Sequence, residues 1–198
     1  LLGGLGYAVY WAVRRNRTQA APAAGYLGGG AASPGTVMEP SFGQAEGPRA
    51  GEDALRGVQH IRQMDPDFDL PAFIEWATDA FFQIQAGWMH RQVERLRPLL
   101  SDEMVGEFRA LMDEARAAGR INRLENITVR SVEAVAAWQE QGKDYVTVRY
   151  RANLLDYMVD ERSGTVVQGD DSTPVKFEEC WTWVRPVGSG PWRLAAIQ

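Results

Sequence analysis

The apolar residues of this chain keep one period up to Gly119 and another after it, and that single change narrows the fold most. From Asp69 onward, Leu70, Phe73, Trp76 or Ala77, Phe81, Ile84 and Trp88 recur at helical spacing, and Pro71 falls near the first turn, where its missing N–H does no harm. The spacing predicts a helix over residues 71–92, a short helical stretch over 93–97 that stops at Pro98, and a further helix opened by Ser101. Met104 or Val105, Phe108, Leu111, Met112 and Ala115 form the apolar face of that helix, and Gly119 closes it.

Beyond Gly119 the period is two. A strand starts at Ile127 and Val129 and runs through a bulge to Trp138, and residues 141–144 make a turn. Over residues 145–156, Val146, Val148, Tyr150, Ala152 and Leu154 alternate with Thr147, Arg149, Arg151 and Asn153, the pattern of a strand with one core face and one wet face. A polar loop over about 160–173 precedes a third strand, 175–185, in which Phe177, Glu179, Trp181 and Trp183 share a face. A turn at 188–191 leads to a last strand, 192–198. Helices followed by a meander of strands predict an α+β fold, with helices packed on one face of a curved antiparallel sheet.

The stretch ahead of the helices differs in kind. Residues 1–13, LLGGLGYAVYWAV, are apolar and are followed by Arg14, Arg15 and Arg17, which reads as the end of a membrane-spanning helix. Tyr10 and Trp11 would sit in the interface and the arginines would hold the rest of the chain on the cytoplasmic side. A signal peptide carries its positive charge before its apolar core, whereas here it follows. The Ala-, Gly-, Pro- and Ser-rich stretch that comes next, with a run at Gly28, Gly29 and Gly30, is expected to be a disordered linker. The domain limits read from composition are therefore 1–17 for the membrane segment, 18–63 for the linker and 64–198 for the folded domain.

Charge and composition exclude several functions. A net charge of −5 with no basic patch argues against nucleic acid as a partner. The single cysteine, Cys180, permits no intramolecular disulfide, and the two histidines, His60 and His90, fall in different segments, so no metal site and no nucleophilic triad is expected.

The segment Asp65-Pro66-Asp67-Phe68-Asp69, with Phe73, Phe81, Ile84-Gln85 and Trp88 after it, then Leu96-Arg97-Pro98-Leu99-Leu100-Ser101 and Glu107-Phe108, resembles the Tim-forty-four-like domain family. So do Asn122-Arg123-Leu124-Glu125-Asn126 and the ending Glu179-Cys180-Trp181-Thr182-Trp183-Val184-Arg185 with Trp192-Arg193-Leu194-Ala195-Ala196-Ile197-Gln198. The resemblance implies a cone-shaped fold similar to nuclear transport factor two, closed around an apolar pocket. It also implies a non-catalytic, membrane-associated binding module in inner-membrane protein translocation, assembly or quality control. Bacterial relatives carry a Gly-rich membrane segment before the domain, which residues 1–17 resemble. The basic N-terminal helices of mitochondrial members have no counterpart here, so their chaperone recruitment does not carry over.

Within that frame, Phe73, Trp76, Phe81, Trp88, Tyr150, Trp181, Trp183 and Trp192 are candidates to line a pocket for an apolar ligand or a hydrophobic peptide, and a lipid- or small-molecule-binding pocket protein is the alternative to an adaptor. Tyr10, Trp11, Arg14, Arg15, Arg91 and Arg95 are candidates for membrane contact. No catalytic residue, cofactor or metal is assigned. Two readings stay open for Glu179: an inward carboxylate serving a pocket isomerase or dehydratase together with Asp156 and Tyr150, or one neutralised across the sheet by Arg149 or Arg151.

Overall fold

The structure, a computed structural model, describes residues 48–198. Four helices precede four strands: α1 (Pro48–Met64), α2 (Leu70–Met89), α3 (Val93–Leu96) with a 3₁₀ turn at Arg97–Leu99, and α4 (Asp102–Ala117), then β1 (Arg120–Glu140), β2 (Lys143–Asp160), β3 (Val166–Pro186) and β4 (Arg193–Ile197). The strands form one antiparallel sheet in sequential order β1-β2-β3-β4. The helices bury their apolar stripes on one face of it, as the change of period predicts, so the fold is α+β with a curved, unclosed sheet.

Local chemistry explains the helix ends. Asp69 accepts a hydrogen bond from Ala72 N at 2.9 Å and opens α2, and the Ser101 hydroxyl accepts from Met104 N at 3.3 Å and opens α4. Gly119 follows α4 with φ 61°, a conformation that favours a residue without Cβ. Ser101 N also donates to Leu194 O at 2.9 Å, tying the start of α4 to the last strand.

Three expectations change. The linker was expected to reach residue 63, yet Pro48–Met64 is helix, with Ala54, Val58 and Ile61 buried. Those three recur at i, i+4 and i+7, a stripe hidden by its Gly- and Pro-rich flank. Gly57 lets α1 reach the sheet: a Cβ there would lie 1.8 Å from Ala137 O of β1. The polar loop over 160–173 is largely strand, since only a tight turn after Asp160 separates β2 from Val166. β1 begins at Arg120, seven residues before Ile127, and its bulges fall between Glu125 and Thr128, Val129 and Ser131, and Ala134 and Ala136. The expected membrane segment and the linker up to residue 47 lie outside the described residues.

Candidate binding surfaces

The interior of the cone is filled by aromatic side chains. Phe81 from α2 stacks on Tyr150 of β2 at 4.8 Å between ring centroids and 16° between planes, and Trp181 of β3 lies 5.0 Å from Phe81 and 5.4 Å from Tyr150. Phe81, Tyr150 and Trp183 are fully buried and Trp181 is 2% exposed. Tyr150 Oη donates to Ala77 O at 3.0 Å, and burial pushes its phenol well above the usual range. Trp88, at the far end of α2, packs edge-on to Phe108 at 5.5 Å and its Nε1 donates to Asn122 Oδ1 at 3.3 Å. Phe81, Trp88, Tyr150, Trp181 and Trp183 therefore serve as packing.

Glu179 stands among these rings. Its register partner is Tyr150, so its side chain shares the inner face while Arg149 and Arg151 project from the outer one. The arginines are taken by Glu133, at 3.0 Å, and Glu178, at 2.7 Å. The cross-strand neutralisation of Glu179 thus does not form. Instead Trp181 Nε1 donates to Glu179 Oε2 at 2.8 Å, and Oε1 has no hydrogen-bond partner among the described residues. Burial, outweighing the Trp181 hydrogen bond, raises the carboxyl to about 7. Asp156, 5% exposed, accepts from Asn122 Nδ2 at 2.9 Å and adds its charge to that effect.

Among the described residues, two concavities stand out on the surface instead. The first, about 420 Å³, lies where the 65–69 segment, the start of α2, Pro98-Leu99 and the β3–β4 turn converge. Phe73, Trp76 and Trp192 line it, three of the residues expected in a pocket. Trp192 lies 4.8 Å from Phe73 and 5.9 Å from Phe68. Arg185 closes the floor: it donates to Asp144 Oδ2 at 3.1 Å and to Asp65 Oδ2 at 2.7 Å, with its guanidinium 4.6 Å over Trp192 and 5.2 Å over Phe68.

The second, about 930 Å³, lies on the outer face of the sheet. Trp138 and Tyr145 stack at 4.9 Å and 5° as one wall, and Ala136, Thr147, Thr182 and Ala196 form a floor of small side chains in which the two threonine hydroxyls share a hydrogen bond of 2.9 Å. Alternation in β2 marks this face only as wet. That it forms a depression follows from cross-strand register, which the sequence does not display.

The basic group after α2 is largely engaged. Arg91 pairs with Glu161 and Arg97 with Glu94 at 3.1 Å, leaving Arg95 exposed and, among the described residues, without an ion pair. Tyr10, Trp11, Arg14 and Arg15 lie outside the described residues. Among the described residues, no group of three or more His, Cys, Asp and Glu side chains could hold a metal ion. No helix there is long and apolar enough to cross a membrane.

No curated protein matches the chain. Among solved structures, the crystal structure of the intermembrane space region of the chloroplast protein ARC6 aligns over 67% of this chain and 97% of its own, at 13% identity and a TM-score of 0.42. Residues 54–198 match the Tim44-like domain, a span that starts within α1 and takes in all that follows, and the chain belongs to the Tim44-like domain family.

Proposed function

We propose that the protein is a membrane-tethered, non-catalytic adaptor acting in inner-membrane protein translocation, assembly or quality control. Membership of the Tim44-like family makes it a membrane-associated, translocation-related module in general terms. The observation that carries the finer reading is the filled interior: with Phe81, Tyr150, Trp181 and Trp183 packed ring on ring, recognition falls to the two outer concavities. Residues 1–17 would anchor the chain as a single-pass segment with the domain on the cytoplasmic side, and the stretch after them would let the domain search around its anchor. Confinement beside a membrane partner raises effective concentration, so modest contacts suffice. Arg95 is free to add attraction to anionic headgroups.

The test joins fractionation to crosslinking. The full chain with a photoreactive group at Tyr145 is expected to stay with the membrane and to crosslink to a membrane-complex protein. A chain lacking residues 1–17 is expected to leave the membrane and lose that adduct. An unchanged adduct pattern after the deletion contradicts the tether.

One observation favours a second reading. Glu179, held near neutrality, has the protonation behaviour of a general acid or base for an isomerase or dehydratase. Such chemistry needs a substrate beside the carboxylate, and neither outer concavity is lined by Glu179.

A further inference from the structure

The smaller concavity carries chemistry that a merely apolar surface lacks. Its rings come from Phe73, Trp76 and Trp192, and Pro98 and Pro191 form part of its wall. The indole Nε1 groups of Trp76 and Trp192 donate to no acceptor among the described residues, while those of Trp88 and Trp181 donate to Asn122 and Glu179. Two unused donors beside aromatic faces suit a ligand with apolar rings and free carbonyls. An extended polyproline II segment has both, because it makes no internal hydrogen bonds and its carbonyls stay available.

The charge of the rim sets the second requirement. Asp65, Asp67 and Asp69 face the concavity and Arg185 is the only basic residue lining it. Arg185 is bound to Asp65, and Asp69 caps α2, which leaves Asp67 exposed and, among the described residues, without a partner. A surface of this sign repels anionic headgroups and phosphate backbones and attracts a cation. The stacking of Arg185 on Trp192 shows that a guanidinium packs on these rings.

We propose that this groove binds an extended, proline-containing segment of a partner protein that carries an arginine or lysine. Prolines lie against Trp76 and Trp192, their carbonyls accept from the two indoles, and the cation meets Asp67. This rests on the reading of the domain as a binding module. It can fail by itself, because the rings and carboxylate it invokes, Trp76, Trp192 and Asp67, do not line the depression beside Trp138 and Tyr145, which shares only Arg185 and Pro191 with the groove.

The experiment is fluorescence anisotropy of a labelled Pro-Pro-Arg repeat peptide with the full chain. Saturable binding is expected. It should weaken about tenfold or more when arginine is replaced by glutamate in the peptide, and likewise when proline is replaced by alanine. Asp67→Lys and Trp76→Phe, the first at an exposed side chain and the second retaining an aromatic ring, should each weaken it while leaving the unfolding midpoint close to that of the parent chain. Absence of binding, equal binding of the alanine or glutamate peptide, or insensitivity to both substitutions overturns the proposal. So does binding of vesicles rich in anionic lipid that Asp67→Lys does not enhance and that displaces the peptide. Absence of a Tyr145 adduct from the full chain, with the peptide result intact, would instead count against the adaptor reading.

Discussion

Glu179 is 7% exposed, with one carboxylate oxygen held by an indole and the other unpartnered, so the folded state favours its proton. Below its ordinary value of 4.5 both folded and unfolded chains hold that proton; between there and about 7 only the folded chain does. Stability from this group is therefore complete at low pH, is lost as pH rises through that window, and stays flat above it. The whole effect amounts to roughly 3 kcal/mol at most. Glu179→Gln should remove it: urea midpoints measured near pH 5 and near pH 8 should draw together relative to the parent chain, and an unchanged difference would assign the slope elsewhere. Arg185 offers a contrast, since it neutralises Asp144, which is fully buried and also accepts from Gln139 at 2.7 Å. Arg185→Ala should cost about 3–5 kcal/mol in denaturant unfolding, because it leaves that carboxylate buried and unpaired. Arg185→Lys should recover only part, as one ammonium does not reproduce a fork across Asp144 and Asp65. The sequence left Glu179 between two fates. What rules out the cross-strand pairing is its register with Tyr150, a contact between strands that local alternation does not specify.

At the scale of elements, α2, α4 and the inner face of β2 were legible because each combines strong periodicity with a chemical stop: Asp69 and Ser101 as caps, Gly119 as terminator. Two elements were hidden for opposite reasons. α1 has a short apolar stripe in a Gly- and Pro-rich neighbourhood, and its existence depends on docking at Ala137. Residues 167–174 of β3 are all exposed, so no inward alternation marks them as strand, and Asp170 adds a turn-like cluster by accepting from Ser172 N at 2.8 Å and Thr173 N at 3.2 Å. The docking of α1 yields a direct prediction. A chain beginning at Met64, the limit that composition suggests, should be less stable than one beginning at Pro48 by on the order of 3–5 kcal/mol, because Ala54, Val58 and Ile61 no longer cover their part of the core. Gly57→Val should act in the same direction, by about 1–3 kcal/mol, since helix and strand must separate to admit the side chain. Thermal unfolding of the three chains checks both; equal midpoints would mean that α1 contributes nothing to the core.

For the whole molecule, the fold class and the family were readable from order: helices, then strands, with the matching segments in sequence along the chain. The candidate site was readable only in part. The sequence names the aromatic residues but not which close the interior and which, like the largely buried Phe73 and Trp192 and the half-buried Trp76, also border a surface groove. Phe81, Tyr150, Trp181 and Trp183 close the interior, whereas Phe73, Trp76 and Trp192 line the rim groove. Recognition on the outside of a closed cone, rather than within it, is the claim on which the functional account stands. Indole ¹⁵N NMR of the full chain, titrated with an uncharged apolar probe such as decanol, tests it most directly. The account predicts that the Nε1 resonances of Trp76, Trp138 and Trp192 move while those of Trp181 and Trp183 stay in place; shifts centred on Trp181 and Trp183 would contradict it.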